Sequence, residues 1–224
     1  MAHEAPKVAV AIMAKAPRPG AVKTRLCPPL SLAEAADLGR CFLLDKIIQV
    51  RALADARPTI AFTPGDERAL FEALAPDFLL VPQQGADLGI RLHGTLDALV
   101  CAGHAAALAI DSDTPTLPTE FLEQAVFLAT APDVDVVLGP TEDGGYYLVG
   151  GRRAHRDLFA KMPWSTSRVF EETLRRAAAA GLRVACLPPW FDVDTPADLS
   201  RLRAALAARR DGTAKETRRR LGLG

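Results

Sequence analysis

A chain of 224 residues with 49% hydrophobic side chains can bury a full core and falls in the usual range of one α/β domain. Its 27 basic and 27 acidic residues cancel formally, which excludes a whole-molecule field drawing it to nucleic acid or an anionic membrane surface; any anion has to be bound locally. Cys27, Cys41, Cys101 and Cys186 are scattered, without the close pairing that zinc or dithiol chemistry requires, so they read as reduced structural thiols.

The apolar run Val8–Met13 is predicted to be the first strand. It is too short to span a bilayer, and Glu4 ahead of it ill suits a signal peptide, so a cytoplasmic protein is expected. The following loop, AKAPRPGAVKTRL, is shaped by Pro17, Pro19 and Gly20 and gathers Lys15, Arg18, Lys23 and Arg25 within eleven positions. Polyphosphate needs such a set, because several anionic oxygens must be neutralised together, with Arg as a planar fork and Lys as a mobile point charge. The plainer alternative is a solvated basic loop, since the segment is neither a Walker loop nor a Gly-x-Gly-x-x-Gly turn. Its place beyond the carboxyl end of a strand, where ligands sit in open α/β sheets, favours phosphate.

A long helix begins at Ser31, with Glu34 completing a capping box before Leu38, Phe42 and Ile48. Thr59–Phe62 and Phe78–Val81 are the next expected strands. After the second, VPQQGADLGIRL offers Gln84, Gly85, Asp87 and Arg91, groups suited to reading a nucleobase edge. The strand Ala106–Ile110 runs straight into Asp111, Ser112 and Asp113, with Pro115 and Pro118 opening the next helix. Carboxylates there face the sheet crevice and suit magnesium or manganese, which take oxygen ligands; alternatively Asp111 caps the turn.

Val134–Leu138 and Tyr146–Val149 flank the loop GPTEDGG, in which Asp143 is a candidate base or hydroxyl ligand, and an Asp-Gly-Gly hairpin turn is the simpler reading. In MPWSTSRVF, Trp164 reads as core packing or a helix staple. Past the strand Arg183–Leu187, WFDVDTPADL combines an N-cap at Thr195, Pro196 at the first helical position and Asp198 three residues after the cap. Capping leaves Asp192 and Asp194 unexplained; two like charges at alternate positions call for a cation and recruit Asp113 from the neighbouring strand. Residues 209–224 are expected to be a basic, flexible, solvated tail behind a domain spanning 1–208. Strand runs apolar throughout, alternating with helical stretches, predict a layered α/β fold with parallel strands covered on both faces.

In order and spacing, AKAPRPGAVKTRL, QGADLGIRL, DSDTPTLP, GPTEDGGYYLVG, PWSTSRVF and DVDTPADL resemble the GT-A-like family of rSAM/selenodomain-associated transferase 1, across nearly the whole chain. The resemblance implies a single-domain Rossmann-like GT-A fold, with a mixed, mostly parallel sheet and helices on both faces, in the nucleotide-diphospho-sugar transferase superfamily. Relatives in that superfamily include guanylyltransferases that make phospholactate-type intermediates and molybdenum-cofactor nucleotides. Lys23 and Arg25 match the phosphate-binding positions, Asp113 the metal-binding Asp before a Pro, and Asp192 and Asp194 the late acidic pair. Asp143 and Gly144 to Tyr147 match the family's signature loop, whereas Asp111 stands where Gly is usual and Ile90 where an acidic residue is common.

These readings predict a transferase that uses Mg2+ or Mn2+ on Asp113, Asp192 and Asp194. Lys15, Arg18, Gly20, Lys23, Arg25, Gln84, Gly85, Asp87 and Arg91 are expected to contact the nucleotide, with Lys23, Arg25 and Asp143 acting on the reacting groups. The leading expectation is nucleotidyl transfer from a nucleoside triphosphate to a phosphorylated small-molecule acceptor with pyrophosphate release, because four cations suit a triphosphate. The alternatives are glycosyl transfer from a nucleotide-sugar to a small-molecule acceptor and a non-catalytic nucleotide-binding protein. Neither nucleic acid nor membrane is expected as a partner, and the oligomeric state is open.

Overall fold

The computed structural model describes residues 7–223, so Glu4 lies outside the described residues. β1 (Val8–Lys15) leads to α1 (Leu32–Arg51), β2 (Ala56–Thr63), α2 (Arg68–Leu74) and β3 (Leu79–Pro82). Next come α3 (Leu88–Cys101), β4 (Ala106–Ile110), α4 (Thr119–Thr130), β5 (Val136–Pro140) and β6 (Tyr146–Gly151). The chain continues through α5 (Arg156–Phe159), α6 (Val169–Ala179), β7 (Val184–Cys186), α7 (Pro196–Ala208) and α8 (Lys215–Leu221).

The strands form one seven-stranded sheet in the order β3-β2-β1-β4-β6-β5-β7. Neighbours are parallel except at β6, which runs antiparallel to both β4 and β5. The reason is local: β5 and β6 are joined by residues 141–145 alone, a connection too short for the crossover that parallel pairing demands. Along β1, Val8, Val10, Ile12 and Ala14 enter one core layer and Ala9 and Ala11 the other. That two-sided burial explains why the strands read as unbroken apolar runs. α1, α2 and α4 cover the first face, while α3, α5 and α6 cover the second. The fold is a single α/β domain with a mixed, mostly parallel sheet.

A third apolar cluster joins Leu38 and Phe42 of α1 to Phe191, Val193 and the α7 residues Leu199, Leu202 and Leu206, and it underlies the crevice. The capping box at Ser31 forms as expected, with Glu34 N–H donating to Ser31 Oγ at 3.2 Å and Ser31 N–H to Glu34 Oε2 at 2.9 Å. Leu38 and Phe42 are buried, but Ile48 is 50% exposed and its neighbour Ile47 takes the core position.

Residues 209–223 are not the solvated tail their charge suggests. α8 packs on α1, where the buried Asp45 carboxylate accepts from Glu216 N–H at 2.8 Å, Thr217 N–H at 2.9 Å and Thr217 Oγ1 at 2.6 Å. An acid from a distant helix thus satisfies the orphan donors at the start of α8. Among the described residues, no helix is long and apolar enough to cross a membrane. The four cysteines are free.

Candidate active site

The crevice opens beyond the carboxyl ends of β1 and β4. After β1 the backbone turns at Gly20 (φ 75°), and Lys23 adopts a left-handed conformation (φ 51°) ahead of a short 3-10 turn at Thr24–Leu26. For a residue with a Cβ, that conformation costs about 1–2 kcal/mol. The turn aims the Lys23 side chain inward, leaving it 6% exposed. Its Nζ donates to Asp113 Oδ1 at 2.7 Å, Asp194 Oδ1 at 2.9 Å and the Val193 carbonyl at 2.8 Å. The ammonium also lies 5.6 Å from the centroid of the Phe42 ring. Burial opposes its charge, yet the carboxylates of Asp113 and Asp194 outweigh that and raise its pKa above the ordinary value.

Asp113 and the late acidic pair are joined through the backbone as well, because Val193 N–H donates to the Asp113 carbonyl at 3.0 Å. The capping box of α7, with Thr195 and Pro196, fixes the chain just after Asp194. Arg25 reaches the other Asp194 oxygen, Oδ2, at 3.3 Å and remains 70% exposed. A cleft of about 240 Å³ is lined by Lys15, Lys23, Ser112, Asp113, Asp194 and the helical Gly39, together with apolar groups of β1 and α1.

Asp192 is half-buried, and its pKa is pushed up to about 6 by burial first, then by the charges of Asp143 and Asp194. Asp143 is held by its own turn: Oδ1 accepts from Thr141 Oγ1 at 2.6 Å and from Gly145 N–H at 3.0 Å. Gly144 (φ 91°) admits no side chain, since a Cβ would run into the Ser167 carbonyl, and its own carbonyl accepts from Phe170 N–H at 2.8 Å. The Asp143 loop is therefore both a hairpin turn and a rigid wall locked to the segment preceding α6. Asp111 accepts from Thr114 Oγ1 at 2.7 Å. Burial and the Asp113 charge push its pKa up to about 7 against the opposing charge of Lys46.

Several expected nucleotide contacts lie elsewhere. Arg18 forms an ion pair with Glu67. Asp87 caps α3, accepting from Ile90 N–H at 2.8 Å, and Arg91 Nε donates to the Asp87 carbonyl at 3.2 Å. At Gly85 (φ 124°) the backbone is covered by Ile90, and Gln84 is exposed. Residues 84–91 do not line the cleft. Trp164 packs edge-to-face on Tyr146 at 6.3 Å, in agreement with the packing reading.

Sequence reading missed Lys46, buried on α1 with its Nζ against the Asp113 loop. The signal was available: Leu38, Phe42, Lys46 and Val50 recur every four positions, so a lysine stands in the apolar stripe. Among the described residues, no three acidic, histidine or cysteine side chains converge into a ready metal cage. Asp113 and Asp194 nevertheless face one shared cation, the Lys23 ammonium, with Asp192 beside them in an acidic field. Such carboxylate oxygens suit a hard divalent ion whose shell phosphate and water complete.

A family model described as "Uncharacterized protein conserved in bacteria (DUF2064)" matches residues 44–166. The chain belongs to that family. A solved structure from Desulfovibrio desulfuricans G20, provisionally named a nucleotide-diphospho-sugar transferase, is 32% identical, with 96% of each chain covered and a TM-score of 0.86. A 4-diphosphocytidyl-2C-methyl-D-erythritol synthase shares the fold at 12% identity, over 91% of this chain and 100% of that one, with a TM-score of 0.61. Glucosyl-3-phosphoglycerate synthase from Mycobacterium tuberculosis, solved with Mn2+, uridine-diphosphate and phosphoglyceric acid, shares it at 13% identity, over 98% of this chain and 80% of that one, with a TM-score of 0.50. No curated protein matches the chain. The fold is thus one used by both nucleotidyl- and glycosyltransferases.

Proposed function

We propose that this chain is a metal-dependent transferase acting on a nucleotide-activated substrate, and that it moves a nucleotidyl group from a nucleoside triphosphate to a phosphorylated acceptor. The observation that carries the reading is the buried Lys23 ammonium, held between Asp113 and Asp194 at the mouth of a cleft with further cations at Lys15 and Arg25. Lys23, Arg25 and Lys15 bind the phosphates, and Gly20 lets the loop backbone approach them. Asp113, Asp192 and Asp194 would hold Mg2+ or Mn2+, which supplies neutralising charge to the phosphate oxygens when bound. An oxygen of the acceptor phosphate attacks the α-phosphorus as the bond to the departing pyrophosphate breaks. No protein nucleophile is required, because the acceptor is already ionised at neutral pH, and the work of the site is positioning and charge neutralisation. Beyond β3, the exposed Gln84 would read a base edge, whereas Asp87 caps α3 and Arg91 Nε turns back on the Asp87 carbonyl. The motifs shared with the rSAM/selenodomain-associated transferase 1 family support the same site assignment.

Glycosyl transfer is the second reading, favoured by one observation. Asp143, its Oδ1 held by Thr141 Oγ1 and Gly145 N–H next to Asp192, would take the proton from an acceptor hydroxyl. The two readings differ in product. Incubated with Mg2+, cell extract and panels of nucleoside triphosphates and nucleotide-sugars, the protein is expected to release pyrophosphate. Release of a nucleoside diphosphate from a nucleotide-sugar instead would replace the first reading with the second, and tight binding without either product would leave a nucleotide-binding protein.

A further inference from the structure

The loop that follows Asp113, residues 114–119, contains two prolines and has Thr114, Thr116 and Leu117 wholly buried, so its polar groups need partners inside the protein. Five side chains from outside the loop supply them, the nearest being Asp111, whose Oδ1 accepts from Thr114 Oγ1 at 2.7 Å. Lys46 Nζ donates to the Thr114 carbonyl at 3.1 Å and to Thr114 Oγ1 at 3.2 Å. Gln49, one turn further along α1, accepts from Lys46 at 3.0 Å with Oε1, and its Nε2 donates to the Leu117 carbonyl at 2.7 Å and Thr119 Oγ1 at 3.3 Å. On the opposite side, Trp190 Nε1 donates to Thr116 Oγ1 at 3.2 Å and Arg209 Nη1 to the Thr116 carbonyl at 3.0 Å. Burying an ammonium is costly unless it is fully engaged, and a core helix would fill the same space with Leu or Met at no such cost. Here the ammonium grips the residue adjoining Asp113.

Resting on the nucleotide-site reading above, we infer that Lys46 and Gln49 are positioning residues: from α1 they hold the 114–119 loop so that the Asp113 carboxylate keeps its place beside Asp194 and Lys23. Neither touches the phosphates. Both act through Thr114, Leu117 and Thr119, and the Asp113 carbonyl bonded to Val193 N–H is the point at which the loop meets the late acidic segment. Displacing a site carboxylate by about 1 Å suffices to cost up to about 100-fold in function.

The chain's two tryptophans, Trp164 and Trp190, provide a readout independent of any ligand. In a Trp164→Phe background, emission comes from Trp190 alone, whose indole N–H is bonded to the loop at Thr116. Lys46→Met removes the ammonium at nearly constant length. Gln49→Glu keeps an acceptor for Lys46 while removing both donors to Leu117 and Thr119. Magnesium tripolyphosphate, which carries the triphosphate charge without committing to a base, serves as the binding probe in calorimetry well below the melting temperature. Lys46→Met is expected to shift Trp190 emission and weaken tripolyphosphate binding about tenfold or more, with Gln49→Glu giving a smaller change in the same direction. Folded variants with unchanged Trp190 emission and unchanged affinity, whatever their melting temperature, would overturn the positioning role; if Lys46→Met does not fold, Gln49→Glu decides. A parent protein that binds no tripolyphosphate sinks the nucleotide reading alone, and the Trp190 signal then decides by itself whether α1 holds the loop.

Discussion

Two basic stretches, residues 15–25 and 209–220, look alike in composition and end in opposite roles. In the first, Lys23 turns inward onto two carboxylates, Asp113 and Asp194. In the second, Arg218 spends its guanidinium on main-chain carbonyls, those of Thr213 at 3.0 Å, Leu206 at 2.7 Å and Arg209 at 2.6 Å. What separates them is the acceptor. Carboxylates hold Lys23 at the cleft beyond β1 and β4, whereas peptide carbonyls use Arg218 in closing the end of α7 and the start of α8. Charge density along a sequence carries no information about which acceptor awaits.

The contrast can be tested by removing one cation at a time. Lys23→Met should have the largest effect, lowering kcat/KM for the pyrophosphate-releasing reaction about 10²–10³-fold with the fold retained by circular dichroism. A variant that loses melting temperature but not kcat/KM would make Lys23 a structural lysine and erase the contrast. Arg218→Ala should act on stability instead, lowering it by about 2 kcal/mol in denaturant titrations, since three hydrogen bonds from a charged donor are lost. For a chain of this size, that corresponds to a fall of roughly 4–8 °C in Tm by calorimetry. Arg18→Ala should matter least, within about 0.5 kcal/mol in stability, because the Arg18 side chain is 59% exposed where it pairs with Glu67. Its tripolyphosphate affinity should change less than about twofold, and a larger loss would return Arg18 to the phosphate site.

The legible parts of this molecule were those decided by neighbours in sequence. The inner strands were legible because burial on both faces writes a continuous apolar run, the half-covered edge strands β3 and β7 through their short apolar runs, and both capping boxes because they close within three residues. Asp113, Asp194 and Lys23 were legible as chemical types in the connections that follow strands. The pairing of Lys23 with Asp194 was not, because the two stand 171 positions apart. The structural partners of Arg18 and Asp87, Glu67 and the first turn of α3, are likewise not announced by their sequence neighbours as phosphate or base contacts would be. The carboxyl-terminal segment read as solvated for the same reason: its anchor, Asp45, lies 172 positions upstream of Thr217.

The Lys23 contacts with Val193 and Asp194 also have a temporal meaning. During synthesis Lys23 emerges 171 positions before Asp194, which appears only after β7 has been made. On the proposed function, a nascent chain that lacks the segment after β7 carries half of the phosphate site, and ligand cannot template the early sheet. In the finished protein, an anion bound as proposed would bridge the first loop and the cap of α7, so its protection against proteolysis should reach both segments at once.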